Sequence, residues 1–469
     1  MSRNSLSSAC VVMAVALLCS AAQAQSAAQS QEPWRHARIN QIPDLLGLSN
    51  ELAITGLQMD APPRAMELNE SMREGMVVSL DAQAAEARNQ AAKYTQKAAL
   101  GALLPRLDIA AGTGRGRLDI ADPNSELPRR EASATLRQSV LDLGGISEFR
   151  RQRKLADVAR LQAEGADSAA GLEVASAYLQ ALQARIVISL SEEQEARLQE
   201  LLNYVDARAD AGGTSGAESA RVRARVANAR AVIADSRANL SSSLRNLESL
   251  LGGSPSSLTI SVPSALAIPA TAHEAKSMAE DANFDLRAAA ADQLAANYEA
   301  DSYRSRFLPK IELQAMHRQD LNAAGTEVRN RDTRVMLMAT WSLLNGGTDY
   351  AQAKSATYRS RSLGLQRASS LRKLGQEIDA SYATLDAMQD RFAAVSEEMA
   401  SNVTVVDAFR AQLVGGTRQL LDVLDAYQRL HQSRLDLAQL AISEVQNHIK
   451  VAHLIGLLPS MLAADGKRE

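Results

Sequence analysis

Apolar residues recur along much of this chain at alternating steps of three and four. Leu172, Ala175, Leu179, Leu182 and Ile186 follow this spacing, and so do Leu374, Ile378, Ser381, Leu385, Met388, Phe392, Val395 and Met399. Two further runs repeat it: Leu240, Leu244, Leu247 and Leu251, then Leu435, Ala438, Ile442, Val445, Ile449 and Ala452. Narrow stripes sustained over many turns mark helices paired as coiled coils. The pattern predicts long helices over 146–211 and 348–414, each about 100 Å at ~1.5 Å per residue, with antiparallel return helices after them. Elsewhere the period changes to two. Val335, Leu337, Ala339, Trp341 and Leu343 alternate with their neighbours, which predicts a strand. Extended segments are expected at 106–114, 132–141, 310–317 and 334–343, with loops over 116–131 and 319–332.

The landmarks recur in two halves. Leu104-Pro105-Arg106-Leu107 returns as Leu308-Pro309-Lys310-Ile311, Gly144-Gly145 as Gly346-Gly347, Gly212-Gly213 as Gly415-Gly416, and Leu250-Leu251-Gly252 as Leu454-Ile455-Gly456. The spacing in each case is about 200 positions, far longer than a solenoid repeat, so the chain is a duplication. Pro105 and Pro309 end a helix and open a strand. Gly144, Gly145, Gly346 and Gly347 are expected to turn the backbone from strand to helix. Gly212, Gly213, Gly216, Gly415 and Gly416 are expected to form tight turns at the tips of the helical hairpins. The resulting layout is 1–24 signal peptide, 25–64 a segment of unassigned structure, 65–252 first repeat, 253–272 linker, 273–458 second repeat, and 459–469 tail.

Composition agrees with extended helices. Only 3% of the 469 residues are aromatic, and the net charge of -3 offers no footprint for nucleic acid. Arg3, an apolar run over 9–19 and Ala22-Gln23-Ala24 read as a secretory signal cleaved before Gln25. Cys10 and Cys19 both fall in that segment. Later in the chain nothing approaches ~18 uninterrupted apolar residues, so any membrane crossing must be made by strands. Four strands are too few for a barrel, since the smallest spanning barrels need about eight. An open sheet in lipid would leave edge amides unsatisfied at several kcal/mol each. Other copies of the chain must therefore complete it. No Gly-rich phosphate loop, nucleophile elbow or histidine spacing suited to a metal is present, and the expectation is no enzyme and no cofactor.

The run Gly416-Thr417-Arg418-Gln419-Leu420-Leu421-Asp422-Val423-Leu424-Asp425-Ala426 resembles the second tip of the TolC-like outer-membrane efflux family, and Leu454-Ile455-Gly456 fits that family's usual helix end. The resemblance extends from about Met66 to Leu458. It implies a mainly α fold with a small membrane β-barrel part, built as a homotrimer with a twelve-stranded barrel, two β-hairpins per chain, and a helical periplasmic tunnel. It also implies a Gram-negative outer-membrane location in contact with lipid, a periplasmic adaptor (membrane fusion) protein, and an inner-membrane ABC exporter or proton-driven pump.

Asp422 and Asp425, three apart on the helix after the tip and beside the expected seam positions Leu421 and Leu424, are candidates for rings of carboxylates that attract cations at a constriction. Glu218 lies six residues past Gly212 as Asp422 lies six past Gly416, so the first tip should also carry an acid. The resemblance makes Arg418 a tip residue that holds the closed state. Leu413 departs from it, standing where a relative places a tyrosine in that latch. The expected function is an exit duct for type I protein secretion. A small-molecule, drug or metal efflux duct served by a proton-driven pump is the second reading. A periplasmic coiled-coil scaffold is the alternative of another class.

Overall fold

In a computed structural model, residues 37–48, 51–53, 65–117, 126–252, 257–259, 268–322 and 329–465 are described. The expected signal segment, with both cysteines, and the tips of the strand loops lie outside them. The order of elements is α1 (Ala37–Leu46), β1 (Glu51–Ala53), β2 (Ala65–Met66), α2 (Leu68–Val78), α3 (Leu80–Gly101), β3 (Arg106–Arg117), β4 (Glu126–Leu141), α4 (Leu143–Asp210) and α5 (Gly216–Leu251). It continues with β5 (Ser257–Thr259), α6 (Ala272–Ala282), α7 (Phe284–Ser305), β6 (Lys310–Leu321), β7 (Arg329–Thr340), α8 (Thr348–Val414), α9 (Leu420–Leu454) and α10 (Leu458–Asp465).

The duplication has a single structural offset. Leu68 to Ala272, Leu80 to Phe284, Arg106 to Lys310 and Gly216 to Leu420 are all element starts 204 positions apart. Sequence matching alone misaligns two landmarks. The glycine with positive φ is Gly212 (+75°) at the first tip and Gly416 (+76°) at the second, so Gly212 corresponds to Gly416 rather than to Gly415. Gly144 and Gly145 are not the counterparts of Gly346 and Gly347. Both sit in the first turn of α4, where the Asp142 carboxylate accepts the Gly145 N–H at 2.8 Å. Gly346 (φ +54°) and Gly347 (φ +76°) do turn the backbone before α8. One half enters its long helix by an acidic cap, the other by left-handed glycines.

Two compact units form, one from Met1–Gln83, Ala166–Asn283 and Lys373–Glu469, the other from Ala84–Gly165 and Phe284–Arg372. In the first, the stripes read from sequence are the core. Ala175, Leu179, Leu182 and Ile186 of α4, Leu244 and Leu247 of α5, Ile378 and Leu385 of α8 and Ile442 and Ile449 of α9 are all buried. Each buried Leu or Ile contributes about 1.5–3 kcal/mol against exposure. The N-terminal segment that the sequence left unassigned joins them: Ile42 and Leu46 of α1 are buried, and β1 and β2 flank β5 in a small sheet. The stretch expected as a tail begins with the short helix α10, whose Leu458 and Leu462 are also buried.

Two tyrosines 204 positions apart tie the segment between the repeats to the long helices. The Tyr178 hydroxyl of α4 accepts from Thr259 N at 2.9 Å and donates to Thr259 O at 3.1 Å. Tyr382 of α8 donates to Pro269 O at 2.7 Å. Burial raises both phenols above the ordinary value of 10.0, Tyr382 to about 12, so both stay protonated donors. Gly456, after α9, combines φ +74° with a backbone approach so close that a Cβ would lie 2.4 Å from Ala282 O.

The second unit carries the larger sheet, in the order β3-β4-β6-β7, all antiparallel. The helices before β3 and β6 end in tightened turns, with Leu104 N–H bonded to Gly101 O and Leu308 N–H to Ser305 O. Pro105 and Pro309 follow at once, as expected from their sequence position. The ladders are longer than the sequence implied, since β3 runs to Arg117 and β4 starts at Glu126. β7 is shorter at its C-terminal end, so Trp341 and Leu343 lie outside it. Lys310 pairs with Thr340, and the residue due opposite Trp341 is Pro309, which has no N–H to offer. The Trp341 indole donates instead to Phe307 O at 3.1 Å.

Replacing Tyr178 or Tyr382 by Phe should lower stability by about 1–3 kcal/mol each, with Tyr178 the larger because two backbone groups lose their partner. Gly456→Ala should cost at least as much, from both the left-handed φ and the clash. Heat and denaturant unfolding of the purified protein check the order.

Candidate functional site

Each long helix ends in the same hydrogen-bonded turn. After α4, Gly213 N–H bonds to Arg208 O at 2.8 Å and Gly212 N–H to Ala209 O at 2.9 Å. After α8, Thr417 N–H bonds to Gln412 O at 3.0 Å and Gly416 N–H to Leu413 O at 3.1 Å. This is the Schellman pattern, which needs a left-handed residue and so selects Gly212 and Gly416. Gly213, Gly216 and Gly415 have no positive φ. Gly213 is instead constrained by Arg208, whose Cγ would lie 3.0 Å from an added Cβ, and Gly216 opens α5.

Two residues past each left-handed glycine, a side chain reaches the acid that follows four residues later. At the first tip the Thr214 hydroxyl donates to the Glu218 carboxylate. At the second, Arg418 Nε lies 3.0 Å from Asp422 Oδ2. The Arg418 guanidinium also stacks 3.8 Å from the centroid of Phe409, one turn before the end of α8. Glu218 and Asp422 are thus equivalent in position and are met from equivalent positions, though by different side chains. Asp425 is exposed, with no ion pair among the described residues, while Leu424 is buried in the seam. Leu421, expected at the seam, is 46% exposed because Leu420, Val423 and Leu424 supply the buried face.

Ties between the two hairpins run along α4. Glu193 pairs with Arg434 of α9 at 2.6 Å, and Glu200 with Arg410 of α8 at 3.1 Å. The Tyr204 hydroxyl reaches Leu413 O at 3.5 Å. Leu413 itself is buried in the apolar core, and its hydrogen bond to α4 is made by its carbonyl. Phe409, Tyr204 and Thr214 did not stand out in the sequence. For Thr214, the constant offset from Arg418 was the available signal.

The sheet is chemically two-faced. In register, Leu107 lies opposite Leu136, Leu136 opposite Ala315, and Leu313 opposite Leu337. Together with Ile109 and Val335 these form an apolar face that is exposed, Ile109 by 76% and Leu337 by 66%. The alternate positions include ion pairs: Arg106 with Asp108 at 2.9 Å, Arg318 with Asp320 at 2.8 Å and Arg318 with Glu131 at 3.5 Å. Among the described strands, β3 and β7 are outermost and have a neighbour on one side only. No helix among the described residues is long and apolar enough to cross a membrane.

These parts define a class in which one chain carries both long helical hairpins and a four-stranded antiparallel sheet with one apolar face and one face bearing ion pairs. The family model described as "Outer membrane efflux protein" matches residues 78–253 and 276–457, and the chain belongs to that family. It is 23% identical over 372 residues to the outer membrane protein TolC of Escherichia coli (strain K12), covering 76% of this chain and 75% of that one. The fold is similar to that of VceC from Vibrio cholerae, with a TM-score of 0.72 and 16% identity over 83% of this chain and 96% of the other. It is also similar to CusC, with a TM-score of 0.74 and 17% identity over 87% and 99%. The protein is an outer-membrane efflux channel component.

A Cβ at Gly416 meets nothing within 4 Å, so substitution there tests backbone conformation alone. Gly416→Val should destabilise the tip by about 1–2 kcal/mol, and Gly416→Asn by less. Limited proteolysis should show faster cleavage between Val414 and Leu420 in the valine variant only.

Proposed function

We propose that three copies of this chain close their sheets into a twelve-stranded barrel in the outer membrane, continued by the helical hairpins as a periplasmic tunnel. One observation carries this reading: the sheet exposes an apolar face while its two outermost strands each lack a neighbour. Edge amides and carbonyls in hydrocarbon cost several kcal/mol each, and pairing β7 of one copy with β3 of the next removes that cost all the way round. The apolar face then meets lipid and the paired charges line the water-filled interior. A periplasmic scaffold would have no use for either feature.

The protein acts as a passive exit duct. The adaptor docks against the tip turns at Gly212, Gly213, Gly216, Gly415 and Gly416, and an inner-membrane partner supplies the energy. Asp422 and Asp425 of three copies make two carboxylate rings at the closed end, with Glu218 as the corresponding acid on the other hairpin and Arg418 steadying Asp422. Such rings favour cations and bind multivalent ones. Resemblance of the second tip to the TolC-like family favours type I protein secretion, driven by an ABC exporter.

Cysteines placed singly on β3 and β7 of a cysteine-free chain should crosslink into a ladder ending at three subunits. A ladder ending at two, or none in detergent-extracted protein, would overturn the trimer. In planar bilayers the pores should be cation-selective and blocked by trivalent cations, and Asp422→Asn with Asp425→Asn should weaken that block about tenfold or more, the scale of lost carboxylate ligands. Unchanged block in the double variant removes the gate assignment. Copurification with an ABC exporter supports protein secretion, whereas copurification with a proton-driven pump supports small-molecule efflux instead.

A further inference from the structure

A cavity of about 140 Å³, lined by both polar and apolar side chains, lies where α4, α5 and α9 meet. Its lining includes Ser191 and Gln194 of α4, Arg225 and Asn228 of α5, and Gln428 and His431 of α9. In a coiled coil such a junction is ordinarily filled by apolar side chains. Here Ser191 is 1% exposed and its Oγ has no hydrogen-bond partner, so the cavity holds polar capacity that the packed helices leave unused. Room for water beside an unspent hydroxyl suits a group that changes charge.

His431 is that group, and the charges round it come from each neighbouring helix. Arg434 lies one turn further along α9, Glu193 and Arg197 of α4 act on the ring through their charge, and Arg225 of α5 shares the cavity wall. Glu193, the one acid of the set, is already engaged by Arg434 and by Arg197, each at 2.6 Å. Arg434 is itself fixed, because its side chain is 13% exposed and donates also to the Leu46 carbonyl at the end of α1. A proton on His431 therefore places a cation among cations, with no spare carboxylate to receive it.

We infer that His431 is an acid-sensing positioning residue whose protonation loosens α9 from α4 and α5. The residue sits six positions beyond Asp425, less than two turns along the helix that carries both tip aspartates. Burial, then Arg434, hold the imidazole below its ordinary value of 6.5, and Arg197 adds to this while Glu193 opposes it. The packed state thus prefers the neutral ring. Its contribution is complete above the ordinary histidine value and is lost as pH falls through the depressed one. Acid would admit water to the cavity beside Ser191 and free the start of α9.

Hydrogen–deuterium exchange of the detergent-purified protein, corrected for the intrinsic pH dependence of exchange, reads this directly. Between about pH 7.5 and about pH 5, protection over 424–435 should fall about fivefold or more in the natural chain and less than about twofold in His431→Gln, a pKa gap of one unit corresponding to tenfold. His431→Asn serves the same arm should the longer amide not fit. An equal fall in natural and variant chains, or no fall in either, overturns the inference. The measurement needs no pore, so it fails separately from the channel reading. Where pores form, their conductance should rise on acidification, and His431→Gln should flatten that rise while leaving the trivalent-cation block in place.

Discussion

An unpaired strand edge cannot face hydrocarbon, and most of this architecture follows from that. Two hairpins joined as β3-β4-β6-β7 satisfy every internal ladder and leave only the outer rows of β3 and β7. Alternation gives the sheet one apolar face and one that carries ion pairs, which suits lipid on one side and water on the other. On the reading proposed above, only further copies of the chain complete the sheet within the bilayer, which makes assembly a condition of insertion rather than a later step. The helices are freed from any need to span the membrane, and their narrow seams and modest hydrophobicity suit an aqueous compartment.

Duplication supplies the second constraint. One offset of 204 relates helices, strands, tip glycines and the two linker-binding tyrosines, so both halves obey the same backbone rules. What diverged is the side-chain means of meeting those rules. Asp142 caps the first long helix where Gly346 and Gly347 turn into the second. A conformation is retained when the hydrogen bonds it must satisfy are retained, whichever residue satisfies them.

This explains how much of the molecule was legible in its sequence. Heptad stripes, prolines before strands and the repeat were readable because burial periodicity and missing N–H groups leave local signatures. At the start of α9 Leu424 was read correctly as a seam position and Leu421 was not, because Leu420 and Val423 supply the rest of the buried face and apolar neighbours on both sides leave the spacing ambiguous. Strand lengths were underestimated, since polar residues of the charged face look like loop. Tyr178 and His431 were invisible for another reason. Each has its surroundings set by residues far away in sequence, Thr259 for the first and the α4 charges Glu193 and Arg197 for the second, and no spacing rule reports such meetings.

The twin tips have a counting consequence. Their backbones are alike turn for turn, yet one clasp is a neutral hydroxyl on Glu218 and the other a guanidinium on Asp422. A binding protein that senses only main-chain shape would find two interchangeable sockets on the chain. One that senses electrostatics would find two sockets of different kind. Stoichiometry at this end of the molecule is therefore decided by which of the two properties the visitor reads.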